Sequence, residues 1–342
     1  MSVVHERSNV VLRSPAEFAA AIPALLGFSP EDSLVAVFLG EGQVIVTMRV
    51  DLPEDLAEIA GHVAETGRRV GAHEAVLAVC CPATGDGLPH RAGVDGLIAG
   101  LEDAGVAVKD TLLVDAGRYW SYVCESPQCC PPDGAVIPGG SLLEAEHVGT
   151  GRPAAARSRD AVIERYRPRP ESAPGPESMA TAEAILRVPL SERARPCWDE
   201  VRMLASGTAT EKEVVSLMVA RVQLSMGDVR VRDYVLGSIA LSESGTGALV
   251  EVVVQAALTA PVNVRPRIAG AAAALLSACG DSSVAVSCLL DLAGDESLAE
   301  LVRVGQSIPM PPAQVRELFV SAMPMVKALL ARADSEEATD SK

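Results

Sequence analysis

Lysine is nearly absent from this 342-residue chain, occurring only as Lys109, Lys212, Lys327 and Lys342. None of the four follows glycine in the G-x-x-x-x-G-K-[ST] arrangement whose backbone amides and ammonium group hold nucleotide phosphates, so a P-loop enzyme is excluded. A complete G-x-G-x-x-G dinucleotide fingerprint is missing as well: Gly85-Asp86-Gly87 lacks the third glycine and Pro89 stands in its way, which leaves a flexible loop. There is no G-x-S-x-G nucleophile elbow and no H-E-x-x-H zinc helix. Positive charge is outweighed, Lys and Arg numbering 29 against 45 Asp and Glu. The net charge of −16 opposes a phosphate-binding surface, and no nucleic-acid partner is expected. No apolar run approaches the ~20 residues that span a bilayer. Met1 to Arg13 has no basic patch ahead of an apolar segment and no small-residue cleavage site. The expectation is a cytoplasmic protein off the membrane. In that compartment the eight cysteines read as buried thiols first, metal ligands second and a disulfide framework last. Aromatics make up only 3% of the chain, so its cores must be built from Ala, Val and Leu.

The apolar pattern that is present divides the chain. Ser14-Pro15-Ala16-Glu17 reads as a capping box with proline at the first helical position, Phe18, Ile22, Leu25 and Leu26 supply a buried face, and Gly27 ends the helix. Ser33 to Leu39 and Val44 to Val50 are β-rich runs around Gly40-Glu41-Gly42, a hairpin signature. Pro53 opens a second helix carrying Leu56, Ile59 and Val63. Ala75 to Cys80 is wholly apolar, as in strands covered on both faces. His90 to Ala104 fits a helix, and Thr111 to Val114 and Tyr119 to Val123 read as strands joined by Asp115-Ala116-Gly117. Residues 1–150 are thus an α/β domain, a mixed sheet of about five strands with flanking helices. Arginines and prolines accumulate over 151–178, a stiff linker. From 179 to 333 glycine and proline breaks leave helices of roughly ten to fifteen residues, an all-α domain of helical hairpins in units of about 34 residues. The clearest pair is Ile268 to Cys279 with Ser283 to Leu292. Residues 334–342 are an acidic tail whose composition reads as disordered.

One stretch is a chemical outlier. Arg118-Tyr119-Trp120-Ser121-Tyr122-Val123-Cys124 and the following Glu125 to Gly134 hold three of the few large aromatics and three of the eight cysteines, closing on Pro131-Pro132-Asp133-Gly134. Cys124-x4-Cys129 has a spacing that two ligands of a zinc site can adopt, and Cys80-Cys81 or His90 could add others. Against this, adjacent thiols such as Cys129 and Cys130 seldom both reach one metal, and a second C-x2-C pair is missing. No cofactor is the default expectation; zinc on Cys80, Cys124, Cys129 and Cys130 is the alternative. A reactive thiol would need a cation beside it, for which Arg118 is the nearest in sequence. Cys197, Cys279 and Cys288 sit on apolar helix faces and read as packing. Strand alternation puts Trp120 and Tyr122 on one face and Tyr119 on the other. Glu31, Asp32 and Asp51 flank the first hairpin, where acidic residues serve either as solvated turn residues or as an acid–base group. A binding site, if the α/β domain holds one, is expected among Asp32, Asp51, Asp115, Arg118, Tyr119, Trp120 and Tyr122. No residue pattern assigns a catalytic group.

Three separated motifs occur in a fixed order: Leu25-Leu26-Gly27-Phe28-Ser29-Pro30-Glu31-Asp32-Ser33-Leu34-Val35, then Arg49-Val50-Asp51-Leu52-Pro53, then the Arg118-to-Gly134 stretch. Together with Gly280-Asp281-Ser282-Ser283-Val284-Ala285 and Leu289-Leu290, they resemble an actinobacterial family of uncharacterised proteins, domain of unknown function 4192. The resemblance runs from Leu12 to Leu301 and implies the same two-part architecture. It brings no catalytic residues with it. The helical domain makes protein–protein interaction or scaffolding, with an unidentified protein partner, the leading expectation. The alternative is an enzyme or ligand-binding protein with a pocket beside the cysteine–aromatic hairpin.

Overall fold

The computed structural model describes residues 3–5, 10–84, 88–307 and 310–340, with side chains described between 10 and 333. The Gly85-Asp86-Gly87 loop lies outside the described residues. The chain divides into two compact units, residues 1–148 with 154–161, and residues 149–153 with 162–342.

The first unit is an α/β fold. Helix α1 (Pro15–Leu26) begins as its sequence demands: Glu17 N–H donates to Ser14 Oγ at 3.2 Å, Arg13 N–H donates to Glu17 Oε2 at 2.6 Å, and Gly27 closes the helix at φ 81°. Strands β3 (Ser33–Gly40) and β4 (Gln43–Asp51) form the expected hairpin, with Glu41 and Gly42 both at positive φ, the backbone of a type I′ turn. The same geometry recurs at Ala116 and Gly117, between β6 (Ala107–Asp115) and β7 (Arg118–Ser121). Between these hairpins come α2 (Ala57–Arg69), β5 (Glu74–Cys80) and α3 (Arg91–Asp103), with β5 parallel to β6 and antiparallel to β3. These five strands are joined by β1 (Val3–His5), β2 (Val11–Leu12) and β8 (Ala135–Val136), so the sheet runs β2-β1-β4-β3-β5-β6-β7-β8. The three additions have two or three residues each, too few to show a period of two in sequence.

Leu34, Ala36 and Phe38 of β3 and Ala75, Leu77 and Val79 of β5 share one core with Val63 of α2 and Val94, Leu97 and Leu101 of α3. The alternate residues Val35, Val37, Val76 and Ala78 are equally buried on the opposite face, where Phe18 and Ile22 of α1 are buried too. That two-sided burial is why β3 and β5 read as unbroken apolar runs. Helix α4 (Leu142–Gly149) follows β8.

Residues 151–178, with their arginines and prolines, carry α5 (Arg159–Arg165), one turn of 3-10 helix at Pro170–Ser172 and the start of α6 (Pro176–Ala182). Eight longer helices complete the second unit: α7 (Leu190–Ser206), α8 (Lys212–Met226), α9 (Val229–Ala240), α10 (Thr246–Thr259), α11 (Arg265–Ala278), α12 (Ser283–Ala293), α13 (Ser297–Ser307) and α14 (Pro312–Asp340). Helix α11 is the hub. Every residue from Ile268 to Leu276 is buried, and the run Ala271–Ala274 lets α10, α12, α13 and α14 approach it closely. The backbone of α14 continues through the acidic stretch as far as Asp340, since Glu and Ala extend a helix already nucleated upstream.

Asp228 shows how one polar side chain sets a helix start in this unit. Its Oδ1 accepts the Arg230 N–H at 2.9 Å, capping α9, while the Arg230 guanidinium pairs with both oxygens. Burial alone would raise the Asp228 carboxyl, but the hydrogen bonds and charge of Arg230 outweigh it and hold the group below the usual carboxylate range. A lowered folded-state pKa contributes stability above the unfolded value near ~4, and that contribution is lost as pH falls through the folded one. Asp228→Ala is therefore expected to cost about 1 kcal/mol at neutral pH. In urea titrations the gap between variant and parent should shrink as the pH is lowered below about 4. A gap that stays constant with pH would assign the loss to packing instead.

Candidate functional site

The chain leaves β7 through a hydroxyl pivot. Ser121 Oγ donates to Asp110 Oδ1 at 2.8 Å and accepts the N–H groups of Val123 at 3.2 Å and Cys124 at 3.0 Å, which turns the backbone so that Cys124 opens the following loop. A second turn returns it: the carbonyl of Ser126 accepts the N–H groups of Cys129 at 3.2 Å and Cys130 at 2.8 Å. This one acceptor fixes both adjacent cysteines, and the sulfurs of Cys124, Cys129 and Cys130 all lie within 4.8 Å of one another. Cys124 Sγ and Cys129 Sγ are 3.0 Å apart.

The loop is strapped to β7 from its far end. Arg118 Nη1 donates to the carbonyls of Asp133 at 3.2 Å and Gly134 at 2.9 Å, and Trp120 Nε1 donates to the carbonyl of Pro132 at 2.9 Å. Gly134, at φ 76°, passes so close to the Trp120 ring that a Cβ there would stand 2.5 Å from it. Arg118 thus has a role that its position in sequence did not reveal: its guanidinium holds loop carbonyls. Trp120 and Tyr122 do share a face, packing on the α2 and α3 side, where Tyr122 is fully buried and donates to the carbonyl of Pro89 at 2.7 Å. Tyr119, on the other face, has its hydroxyl raised by burial and then by the neighbouring Cys130.

The thiols differ in character. Hydrogen bonding from Cys124 and then from the Ser126 side chain draws the exposed Cys129 thiol below its usual range, whereas burial followed by the Cys124 contact pushes Cys130 up to about 12. Of these two adjacent thiols, Cys129 ionises more readily than Cys130. Three convergent sulfurs can hold one soft or borderline divalent ion.

Cys80 is not part of this group. It ends β5 in register with Ser33 and Val114, and burial, then the charge of Cys81, raise its thiol to about 12, which keeps it protonated. His90 precedes α3 in a left-handed conformation and is also outside the group. The strand ends do gather acidic residues: Ser33 is in register with Asp51 and with Cys80. Burial, then the charges of Asp32 and Asp115, raise the Cys81 thiol. Asp115 accepts the Ala83 N–H at 2.9 Å, and Asp51 pairs with Arg49 at 2.5 Å. Carboxylates around a thiol suppress the thiolate, so Cys81 is poorly placed as a nucleophile. In the second unit an open cleft of about 620 Å³ lies between α7 and the start of α10, lined by Trp198, Arg202, Met203, Ser242 and Leu249 among others.

Sequence reasoning missed Ser121, Ser126 and Gly134. The only sequence signal for them is their place beside the cysteines: a hydroxyl residue three before Cys124, another three before Cys129, and a glycine after Pro-Pro-Asp.

Among the described residues, no helix is long and apolar enough to cross a membrane. The profile of a family described as Domain of unknown function (DUF4192) matches residues 15–313. No curated protein and no solved structure matches the chain.

Proposed function

The chain belongs to the family of domain of unknown function 4192, and as membership assigns no activity, we propose that it is a protein-interaction module whose contact surface is the outward face of α14. The observation that carries this reading is a second apolar stripe on that helix. Met323, Val326, Leu330 and Ala333 are buried and turn one face inward. Leu318, Met325 and Leu329 are 58%, 62% and 42% exposed, and with Ala322 they recur at intervals of four, three and four residues. This is the spacing by which one helix seats another. Large apolar side chains in solvent add nothing to the unit's own core, whereas an aligned row of them is what a helical partner desolvates. A second copy is a poor occupant, because two chains of net charge −16 repel each other. The occupant is instead an amphipathic helix of another protein.

The test is a photo-crosslinking amino acid at Met325 in the full chain within its native cells, with the adduct mapped by mass spectrometry. A single helical segment of another protein, lost when Leu318→Glu and Leu329→Glu are added, is the expected result. Adducts to the chain itself, or adducts indifferent to those two changes, would sink the reading. Both substitutions are on the surface, so folding stability should move by less than about 0.5 kcal/mol, which thermal denaturation checks.

A further inference from the structure

We propose that Cys124, Cys129 and Cys130 bind a zinc ion as three thiolates, with water in the fourth position, and that this ion staples the loop between β7 and β8. The inference is independent of the contact surface on α14.

Three observations carry it. The first is the convergence of three sulfurs, all within 4.8 Å of one another. A zinc–sulfur bond of ~2.3 Å in a tetrahedron sets neighbouring sulfurs about 3.8 Å apart, so the group comes within about an ångström of ligand spacing, with the 3.0 Å Cys124–Cys129 pair opening as the ion enters. The second is that the backbone holds the ligands in place without help from the sulfurs. Ser121 Oγ holds the amide of Cys124, and the Ser126 carbonyl holds those of Cys129 and Cys130. Adjacent cysteines rarely both face one point, and here one acceptor for two successive amides makes them do so. The third is that the loop has nothing else at its centre. From Val123 to Asp133 no residue is buried, and Val123 itself is 52% exposed. A segment with no apolar core gains its order from hydrogen bonds and a covalent or metal staple.

A disulfide is the competing staple. It needs two sulfurs at ~2.05 Å and would leave the third in the cluster with no role. Cys124 and Cys129 stand at 3.0 Å, between the two spacings, and it is Cys130, completing a trio, that favours the ion. Zinc is favoured over harder ions because all three donors are sulfur. On binding, each thiol gives up its proton to solvent, and the dication against three thiolates leaves one net negative charge at the loop. No fourth His, Cys, Asp or Glu among the described residues joins the three, which leaves the remaining position to water.

The test uses the full chain purified under reducing conditions, with thiols blocked at lysis in a parallel sample. Native mass spectrometry should find one zinc per chain, and replacement by cobalt(II) should give the thiolate-to-metal charge-transfer band with the strong visible absorption of a tetrahedral site. Cys124→Ser, Cys129→Ser and Cys130→Ser should each weaken zinc by at least about a hundredfold, while Cys81→Ser leaves it unchanged. The cobalt spectrum needs no variant, so a variant that fails to fold does not spoil the test. A cobalt spectrum without the charge-transfer band, zinc retained by Cys124→Ser, or a Cys124–Cys129 disulfide in the sample blocked at lysis would each overturn the proposal.

Discussion

Glu296→Ala is expected to destabilise the second unit by about 3–5 kcal/mol, the range seen when one partner of a buried ion pair is removed. Glu296 and Arg232 meet at 2.5 Å, and their side chains are only 9% and 6% exposed. The carboxylate does more than pair. Its Oε2 accepts the N–H groups of Leu298 at 2.9 Å and Ala299 at 3.1 Å, so the same group caps α13 and ties it to α9. Truncation leaves the Arg232 guanidinium with the half-exposed Asp233 alone, and leaves two helix-start amides unsatisfied. The backbone of α11 records the closeness of the carboxylate: a Cβ on Gly270 would lie 2.6 Å from Oε2. Because a buried pair replaced entirely by apolar groups can be nearly neutral, the double variant Arg232→Met with Glu296→Leu should recover much of the loss, though not the share due to the α13 cap. Chemical denaturation of the parent, both single variants and the double variant would show the coupling. Additive losses under about 1 kcal/mol each would mean that the pair is solvated and contributes little.

That pair also marks where reading the sequence stops. Arg232 and Glu296 are 64 positions apart, and each by itself looks like one more solvated charge; only the fold, which brings the residue before α13 against α9, makes them one buried unit. What was legible was local or periodic. Ser14, Pro15 and Gly27 bound α1 through their own backbone and capping chemistry, and Gly42 and Gly117 supply the positive φ that a two-residue hairpin requires. The run Ala75 to Cys80 announces a strand covered on both faces by its lack of any polar residue. The two-part α/β and all-α division follows from the same periodicities. At the candidate site the cysteines and aromatics were visible as types, but their arrangement depends on acceptors with no composition signal. The Ser126 carbonyl brings Cys130 to Cys124, and the backbone carbonyls of Asp133 and Gly134 occupy Arg118. The double stripe on α14 was hidden for another reason. A helix apolar on two faces reads from sequence as one buried all round, and only the packing of Met323 and Val326 inward leaves Met325 outward.

Gly134→Val is expected to unfasten the cysteine loop at a cost of about 2–5 kcal/mol, the sum of left-handed backbone strain and overpacking against a ring. At φ 76° a β-branched residue is a steric outlier before any neighbour is considered. The added Cβ would also stand 2.5 Å from Trp120 Cε2 and 2.6 Å from Cζ2. The ring cannot swing aside cheaply. Its Nε1–H is bonded to the Pro132 carbonyl, two residues before the substitution, and its body packs against the α2 and α3 core. Relieving the clash therefore breaks the strap, and the Arg118 bond to the Gly134 carbonyl goes with it. The two causes separate in a second background. Trp120→Leu removes the ring, so the overpacking share should vanish while the backbone share of about 1–2 kcal/mol persists. Only two tryptophans exist, and Trp198 lies in the other unit, so in a Trp198→Phe chain the fluorescence of Trp120 reports the loop directly. Gly134→Val should then shift that emission towards the red at temperatures where far-ultraviolet circular dichroism is still native. An unshifted emission with a loss below about 0.5 kcal/mol would mean that Gly134 and Trp120 are not pressed together, and that the loop is held by its cysteines alone.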